Sequence, residues 1–66
     1  MRFVGDRLRQ QRKEKGYTQQ QMAEQLMVHR TTYTKYELDV VEPSLTILCR
    51  IADVLACTTD ALLGRE

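Results

Sequence analysis

Apolar residues recur at helical spacing along the chain, between glycine, proline and capping residues. In residues 3–15, Val4 and Leu8 lie four positions apart among charged neighbours, and Gly16 follows as a C-terminal cap. Residues four apart lie on the same side of an α-helix. The pattern therefore predicts a first helix over residues 3–15.

A second short helix is predicted to begin after Thr18. This residue is a good N-cap, and Gln21 three positions later completes the pattern of a capping box. The apolar side of the helix is formed by Met22, Ala23 and Leu26, where the helix is expected to end. Residues 27 and 28 then form a tight turn.

A third helix is predicted over about Arg30–Glu37, so that residues 18–37 form two helices joined by a turn. This helix contains three β-branched threonines, which give it poor intrinsic helix propensity. Packing against the rest of the chain must therefore support it.

Two further helices are predicted beyond a loop that ends at Pro43. Ser44 is the N-cap of the fourth, and Thr58 is the N-cap of a short fifth helix that ends before Gly64. The fourth helix is clearly amphipathic, with apolar residues at helical spacing at Leu45, Leu48, Ile51, Ala52 and Leu55. No repeat or internal linker interrupts the sequence, which indicates an all-α fold of five helices in a single domain, 1–66.

Length and composition argue against several classes of protein. A domain of 66 residues is too small to enclose a large substrate pocket, and no nucleophile with a base, pair of carboxylates or metal cluster can be assembled from the sequence, so an enzyme is not expected. Cys49 and Cys57 match neither a redox motif nor a zinc site, and we expect free thiols without a metal. No apolar run approaches the roughly 20 residues of a membrane span, which predicts a cytoplasmic protein.

The formal net charge is only +1, but the charges are unevenly distributed. Residues 1–36 contain eight Lys and Arg against three Asp and Glu, whereas residues 37–66 contain two against six. Such a division is compatible with one positive face for a polyanion, and equally with ordinary solvated helices.

The third predicted helix has two different sides. Successive helical residues are about 100° apart, which puts Thr31, Thr34 and Lys35 on one side and Tyr33 and Tyr36 roughly on the other. A helix that reads the major groove needs long polar side chains on one side and a packed side opposite. Spacing alone leaves two interpretations open: a DNA-reading surface, or ordinary surface residues of a small bundle.

Residues 7–64 resemble the helix-turn-helix family of phage Cro and repressor proteins, also called the Xre type. Four segments carry the resemblance in the order and spacing of that family: RLRQQRKEKGYTQQQMAEQL, RTTYTKYE, EPSLTILCRIADVL and TDALLG. The resemblance implies a compact lambda-repressor-like fold whose third helix enters the major groove. It also implies a homodimer that reads two half-sites.

The resemblance assigns roles to individual residues. Base contacts are expected from Arg30, Thr31 and Lys35, with Thr34 as a neighbouring contact. Contacts to the DNA backbone are expected from Thr18, Gln19, Gln20 and His29. Arg12 and Glu37 match a largely buried salt bridge between the first and third helices.

Three positions depart from the pattern of the family. Met27 stands where the turn often has Gly, His29 replaces the usual Ser or Thr N-cap, and Asp39 replaces a frequent Gly. The loop that contains Asp39 is acidic and apolar where relatives often have basic phosphate contacts. Its apolar residues Leu38, Val40 and Val41 are expected to pack internally, with a dimer surface as the alternative.

These features predict a sequence-specific regulator of transcription, a repressor that binds double-stranded DNA as a homodimer at a palindromic operator. No cofactor, small-molecule substrate or membrane contact is expected. The alternative is a protein-interaction module that keeps the fold but has lost specific DNA binding, which the low net charge and the loop from Leu38 to Glu42 favour.

Overall fold

The computed structural model describes residues 3–63, which form five helices and contain no strand. The helices are α1 (Gly5–Lys15), α2 (Gln19–Leu26), α3 (Arg30–Glu37), α4 (Leu45–Leu55) and α5 (Thr59–Leu63). The prediction of an all-α fold with five helices is confirmed. Gly64, the predicted end of the fifth helix, lies outside the described residues.

Local capping determines where most of these helices begin. The Thr18 hydroxyl oxygen accepts from the Gln21 backbone N–H (3.0 Å), and the Gln21 side chain accepts from the Thr18 backbone N–H (2.8 Å), so the capping box is formed. The Ser44 hydroxyl oxygen accepts from the Ile47 backbone N–H, and that of Thr58 accepts from the Ala61 backbone N–H. These contacts satisfy amides that a helix itself leaves without partners.

The first helix begins two residues later than its predicted start at residue 3. Val4 is extended (φ −121°, ψ 110°), and its backbone N–H donates to the carbonyl of Leu62. This hydrogen bond connects the segment before α1 to α5. Val4 therefore precedes the helix instead of belonging to it. The predicted cap at the other end is present, because Gly16 adopts a left-handed conformation with φ 79°.

The core lies where all five helices meet. The largest side chains that are almost completely buried come from every helix: Tyr33, Leu8, Met22, Leu26, Ile51, Leu55 and Leu62. Helices α2 and α3 pack closely on each other, and α1 contacts α3, α4 and α5. The third helix is therefore supported by packing, as its poor propensity requires.

The apolar residues of the loop between α3 and α4 do not pack internally, so that prediction is wrong. Leu38, Val40 and Val41 are 66%, 63% and 41% exposed. Leu45, at the start of α4, is 75% exposed. These four exposed side chains, which we call the apolar loop surface, belong to the segment from the end of α3 to the first residue of α4.

The described part of the chain has neither a membrane-spanning helix nor a group of metal-binding side chains. Within residues 3–63, no helix has the length and apolar character needed to cross a membrane. In the same part of the chain, no three His, Cys, Asp or Glu side chains are grouped so that they could hold a metal ion.

Candidate nucleic-acid interface

Helix α3 presents one polar side to solvent and one aromatic side to the core. Arg30, Thr31 and Lys35 are exposed. Tyr33 is completely buried and Tyr36 is 7% exposed, and their rings meet edge to face with centroids 6.3 Å apart. The helical spacing thus separates the side chains as the sequence predicted.

Thr34 differs from its neighbours on the polar side of α3. It is half-buried, and its hydroxyl donates to the carbonyl oxygen of Arg30, 2.9 Å away. The proton of the hydroxyl is therefore used inside the helix, and the oxygen keeps only its capacity to accept. A contact from Thr34 to a base would have to use a donor on that base.

His29 begins α3 without the usual side-chain cap. Its backbone is extended (φ −67°, ψ 146°), and its imidazole makes no capping hydrogen bond. His29 is exposed, beside the first turn of the helix. The N-terminal amides of α3 are therefore not occupied by this side chain.

The N-terminus of α2 carries the other predicted backbone contacts. The capping box uses the amides of Thr18 and Gln21, so the remaining amides of the first turn belong to Gln19 and Gln20. The Gln20 side chain is exposed and donates to a carboxylate oxygen of Glu24 on its own helix (3.2 Å). Amides at the start of a helix favour anions, because they lack partners within the helix and the helix dipole is positive there.

A buried carboxylate joins the first three helices. Glu37, the last residue of α3, accepts from Arg12 Nε of α1 at Oε2 (2.6 Å), which confirms the contact predicted between these residues. The Tyr33 hydroxyl donates to the same oxygen (2.6 Å), and Gln19 Nε2 of α2 donates to Oε1 (3.1 Å). Arg12 also donates through Nη1 to the carbonyl of Tyr17 (2.9 Å). We call Glu37 and its partners Arg12, Tyr33 and Gln19 the carboxylate junction.

Burial and hydrogen bonding act in opposite directions on the charge of Glu37. Burial alone raises the pKa of this carboxyl, but the hydrogen bonds from Arg12, Tyr33 and Gln19 outweigh burial and hold the pKa below its ordinary value. The hydrogen bond to Glu37 raises the pKa of Arg12, and burial followed by the hydrogen bond to Glu37 raises the pKa of Tyr33. The junction is thus a charged pair with a neutral phenol.

The sequence predicted only two members of the carboxylate junction. Tyr33 lies one helical turn before Glu37, a spacing that brings the two side chains to the same side of α3 and could have indicated the contact. No local pattern indicates the contact of Gln19, because it joins residues 18 positions apart on different helices.

The turn between α2 and α3 requires a left-handed backbone at Met27, a conformation that residues other than Gly rarely adopt. Met27 has φ 57° and ψ 42°, in the left-handed region, and its side chain is 83% exposed. A residue with a Cβ costs roughly 1–2 kcal/mol there relative to the right-handed conformation. Gly, which the family often has in this turn, would adopt this conformation without that cost.

Comparison with known proteins identifies the family. Residues 8–62 match the helix-turn-helix family. The chain belongs to this family. One relative, the SPbeta prophage-derived uncharacterized HTH-type transcriptional regulator YonR of Bacillus subtilis (strain 168), is 44% identical over 61 residues, covering 92% of this chain and 56% of the relative. The cryptic phage CTXphi transcriptional repressor RstR of Vibrio cholerae is 40% identical over 62 residues, covering 94% and 55%.

A solved structure agrees with the assignment. SinR of Bacillus subtilis is a master regulator for biofilm formation, and its crystal structure was solved in complex with DNA. This chain superimposes on that structure with a TM-score of 0.83 at 33% sequence identity. The match covers 91% of this chain and all of that one. The chain spans about half the length of the curated relatives it matches.

Proposed function

We propose that this chain is a sequence-specific DNA-binding domain that regulates transcription and reads the major groove with α3. The observation that carries the proposal is the two-sided character of this helix. Arg30, Thr31 and Lys35 are exposed on one side, while two tyrosines and Glu37 fix the other side in the core. A recognition helix needs both properties, because its readers must reach base edges from a fixed position.

Arg30 and Lys35 are the strongest candidates for base reading. Each is exposed, and each carries a long donor side chain suited to the acceptors on the major-groove edge of guanine. Thr31, one position after Arg30, adds a hydroxyl and a methyl group. Thr34 is a weaker candidate, because its hydroxyl proton is already donated to Arg30 O.

The proposed contacts to the DNA backbone come from the two helix N-termini that precede the readers. We assign them to Thr18, Gln19 and Gln20 at the start of α2 and to His29 at the start of α3. Free amides and a positive helix dipole favour a phosphate at such positions. The excess of basic residues in the first 36 positions supports the same orientation.

We further propose a homodimer that acts as a repressor at a palindromic operator. The relative RstR is a transcriptional repressor, which supports repression rather than activation. The dimensions of the domain support pairing on DNA, since its principal extents are 27 × 23 × 19 Å and half-sites one helical turn apart are about 34 Å from centre to centre. Two copies on adjacent half-sites would thus lie side by side. The relatives named above are regulators rather than enzymes, and a cytoplasmic location would give such a protein access to DNA.

Selection of bound fragments from random double-stranded DNA tests this function. We expect enrichment of a palindrome whose half-sites are about one helical turn apart. Enrichment of a single half-site would support base reading and contradict the homodimer. If the bound fragments show no enriched sequence at any salt concentration, the protein does not read sequence.

The apolar loop surface favours a second candidate, a protein-interaction module on the same fold. Leu38, Val40 and Leu45 are each more than 60% exposed, and Asp39 and Glu42 beside them are acidic. A salt titration of binding to mixed genomic DNA separates the two functions, since nonspecific DNA binding strengthens steeply as salt is lowered. Absence of binding even at low salt would favour the interaction module.

A further inference from the structure

Gln19 connects the proposed DNA-backbone contact at the start of α2 with the buried end of α3. Its Nε2 donates to Glu37 Oε1 over 3.1 Å, and the side chain is half-buried while Glu37 is 6% exposed. We infer that Gln19 is a positioning residue, which holds α3 at the angle required for base reading through its bond to Glu37. The inference rests on the proposed function and adds to it that Gln19 affects which sequence is bound.

Glu37 depends on Gln19 because of how its two oxygens are shared. Oε2 accepts two short bonds, from Arg12 Nε and from the Tyr33 hydroxyl, both of 2.6 Å. Oε1 accepts from Gln19 at 3.1 Å and from Arg12 Nη2 at 3.4 Å. Without Gln19, the longer contact from Arg12 Nη2 would remain at Oε1 among the described residues, and α2 would lose its hydrogen bond to Glu37.

This role is compatible with a contact from Gln19 to a phosphate. A side-chain amide nitrogen carries two N–H groups, and the bond to Glu37 uses one of them. The two roles differ in their consequences, however. A contact to the DNA backbone carries no sequence information, whereas a change in the angle of α3 moves all its readers relative to the bases.

The decisive experiment compares Gln19→Ala with Gln20→Ala on the selected operator and on random DNA at one salt concentration. Gln20 is the matched control, because it is adjacent and exposed, and its side chain donates to Glu24 on its own helix rather than to Glu37. For Gln19→Ala we expect a loss on the operator about threefold to tenfold larger than on random DNA, the range for one hydrogen bond. Gln20→Ala should weaken both equally. Equal losses for Gln19→Ala would overturn the inference.

Tyr33→Phe provides an independent test from inside the protein. Tyr33 is completely buried, so any change in sequence preference must act through the position of α3. We expect Tyr33→Phe to lower affinity more on the operator than on random DNA, as for Gln19→Ala. In the double variant, the loss of affinity should be smaller than the product of the two single losses, because both substitutions act on Glu37. Thermal unfolding would establish that each variant is folded at the temperature of the binding measurement. Multiplicative losses would contradict a shared route.

The wild-type protein separates failure of this inference from failure of the proposed function. If the wild type shows no preference for any sequence even at low salt, the proposed function is wrong, and the inference is wrong with it. If the wild type prefers its operator and Gln19→Ala loses affinity equally on both DNAs, only the inference is wrong.

Discussion

The carboxylate of Asp39 accepts a hydrogen bond from the backbone N–H of Gly5, with Oδ1 and N 2.9 Å apart. Asp39 follows the end of α3, and Gly5 is the first residue of α1. Gly5 has no side chain to separate the two, and a Cβ there would clash with the backbone carbonyl oxygen of Glu37. Backbone therefore packs on backbone, and Asp39 satisfies the first amide of α1.

Replacing Asp39 tests whether this hydrogen bond stabilises the fold. Asp39 has φ 60°, a conformation that Asp and Asn adopt more readily than Ala. We expect Asp39→Ala to lower the free energy of unfolding by about 1–2 kcal/mol, as for the loss of an N-cap. Asp39→Asn keeps an acceptor and tolerates the same φ, so its loss should be smaller. Urea unfolding of both variants would measure this, and equal losses would contradict the assignment.

The contrast between Thr18 and Asp39 indicates what the sequence could and could not predict. Thr18 caps α2 through residues three positions away, so the capping box could be predicted and is present. Asp39 caps α1 across 34 positions, and its partner has no side chain. The sequence indicated only that Asp39 replaces a frequent Gly. Contacts within one helical turn could thus be predicted from spacing, whereas contacts between distant helices could not. The contact between Arg12 and Glu37 was expected only from the family resemblance.

The candidate site divides in the same way. The polar side of α3 was predicted from helical spacing, because the positions of Thr31, Thr34 and Lys35 follow from the geometry of one helix. The contact of Gln19 with Glu37 requires the packing of α2 on α3. The exposure of Leu38, Val40 and Val41 was predicted wrongly, since hydrophobicity favours burial but does not show whether a loop can reach the core.

Met27→Gly tests the cost of the left-handed turn. Met27 has φ 57° and an exposed side chain, so glycine relieves backbone strain with little loss of packing. We expect the free energy of unfolding to rise by about 0.5–1 kcal/mol, less than the full strain because glycine also makes the unfolded chain more flexible. Chemical denaturation would measure the change. A decrease would show that the Met27 side chain contributes more than its exposure suggests.

Gly16→Ala is the converse control. Gly16 has φ 79°, and an added Cβ would meet nothing within 4 Å, so only the backbone conformation opposes the substitution. We expect a loss of about 1 kcal/mol, in the direction opposite to that of Met27→Gly. Changes of the same sign in both variants would contradict backbone conformation as the common cause.

The lowered pKa of Glu37 predicts that the carboxylate junction loses its stabilising effect in acid. A group whose pKa is lower in the folded state binds fewer protons there than in the unfolded state. Its contribution to stability is therefore present above the unfolded pKa of about 4.5 and is lost as the pH falls through the lower folded value. Unfolding free energies measured from pH 7 down to pH 3 would follow this loss.

Glu37→Gln separates this effect from the titration of other carboxyl groups. The variant leaves the buried Arg12 without its ionised partner, which costs about 3–5 kcal/mol when a buried pair loses one member. Because only the wild type carries the ionised Glu37, the difference in stability between the two should be largest at neutral pH and shrink below about pH 4.5. A constant difference across this range would contradict the assignment.

Arg30→Ala tests base reading at the start of α3. If the guanidinium pairs with one guanine, the variant should lose about 1–3 kcal/mol on the selected operator and tolerate any base pair at one position in each half-site. Arg50→Ala is the matched control, because Arg50 is also an exposed arginine but lies on α4, outside α2 and α3. Binding to a panel of operators with single substitutions would identify the relaxed position. Equal losses on operator and random DNA for Arg30→Ala would instead make Arg30 a phosphate contact.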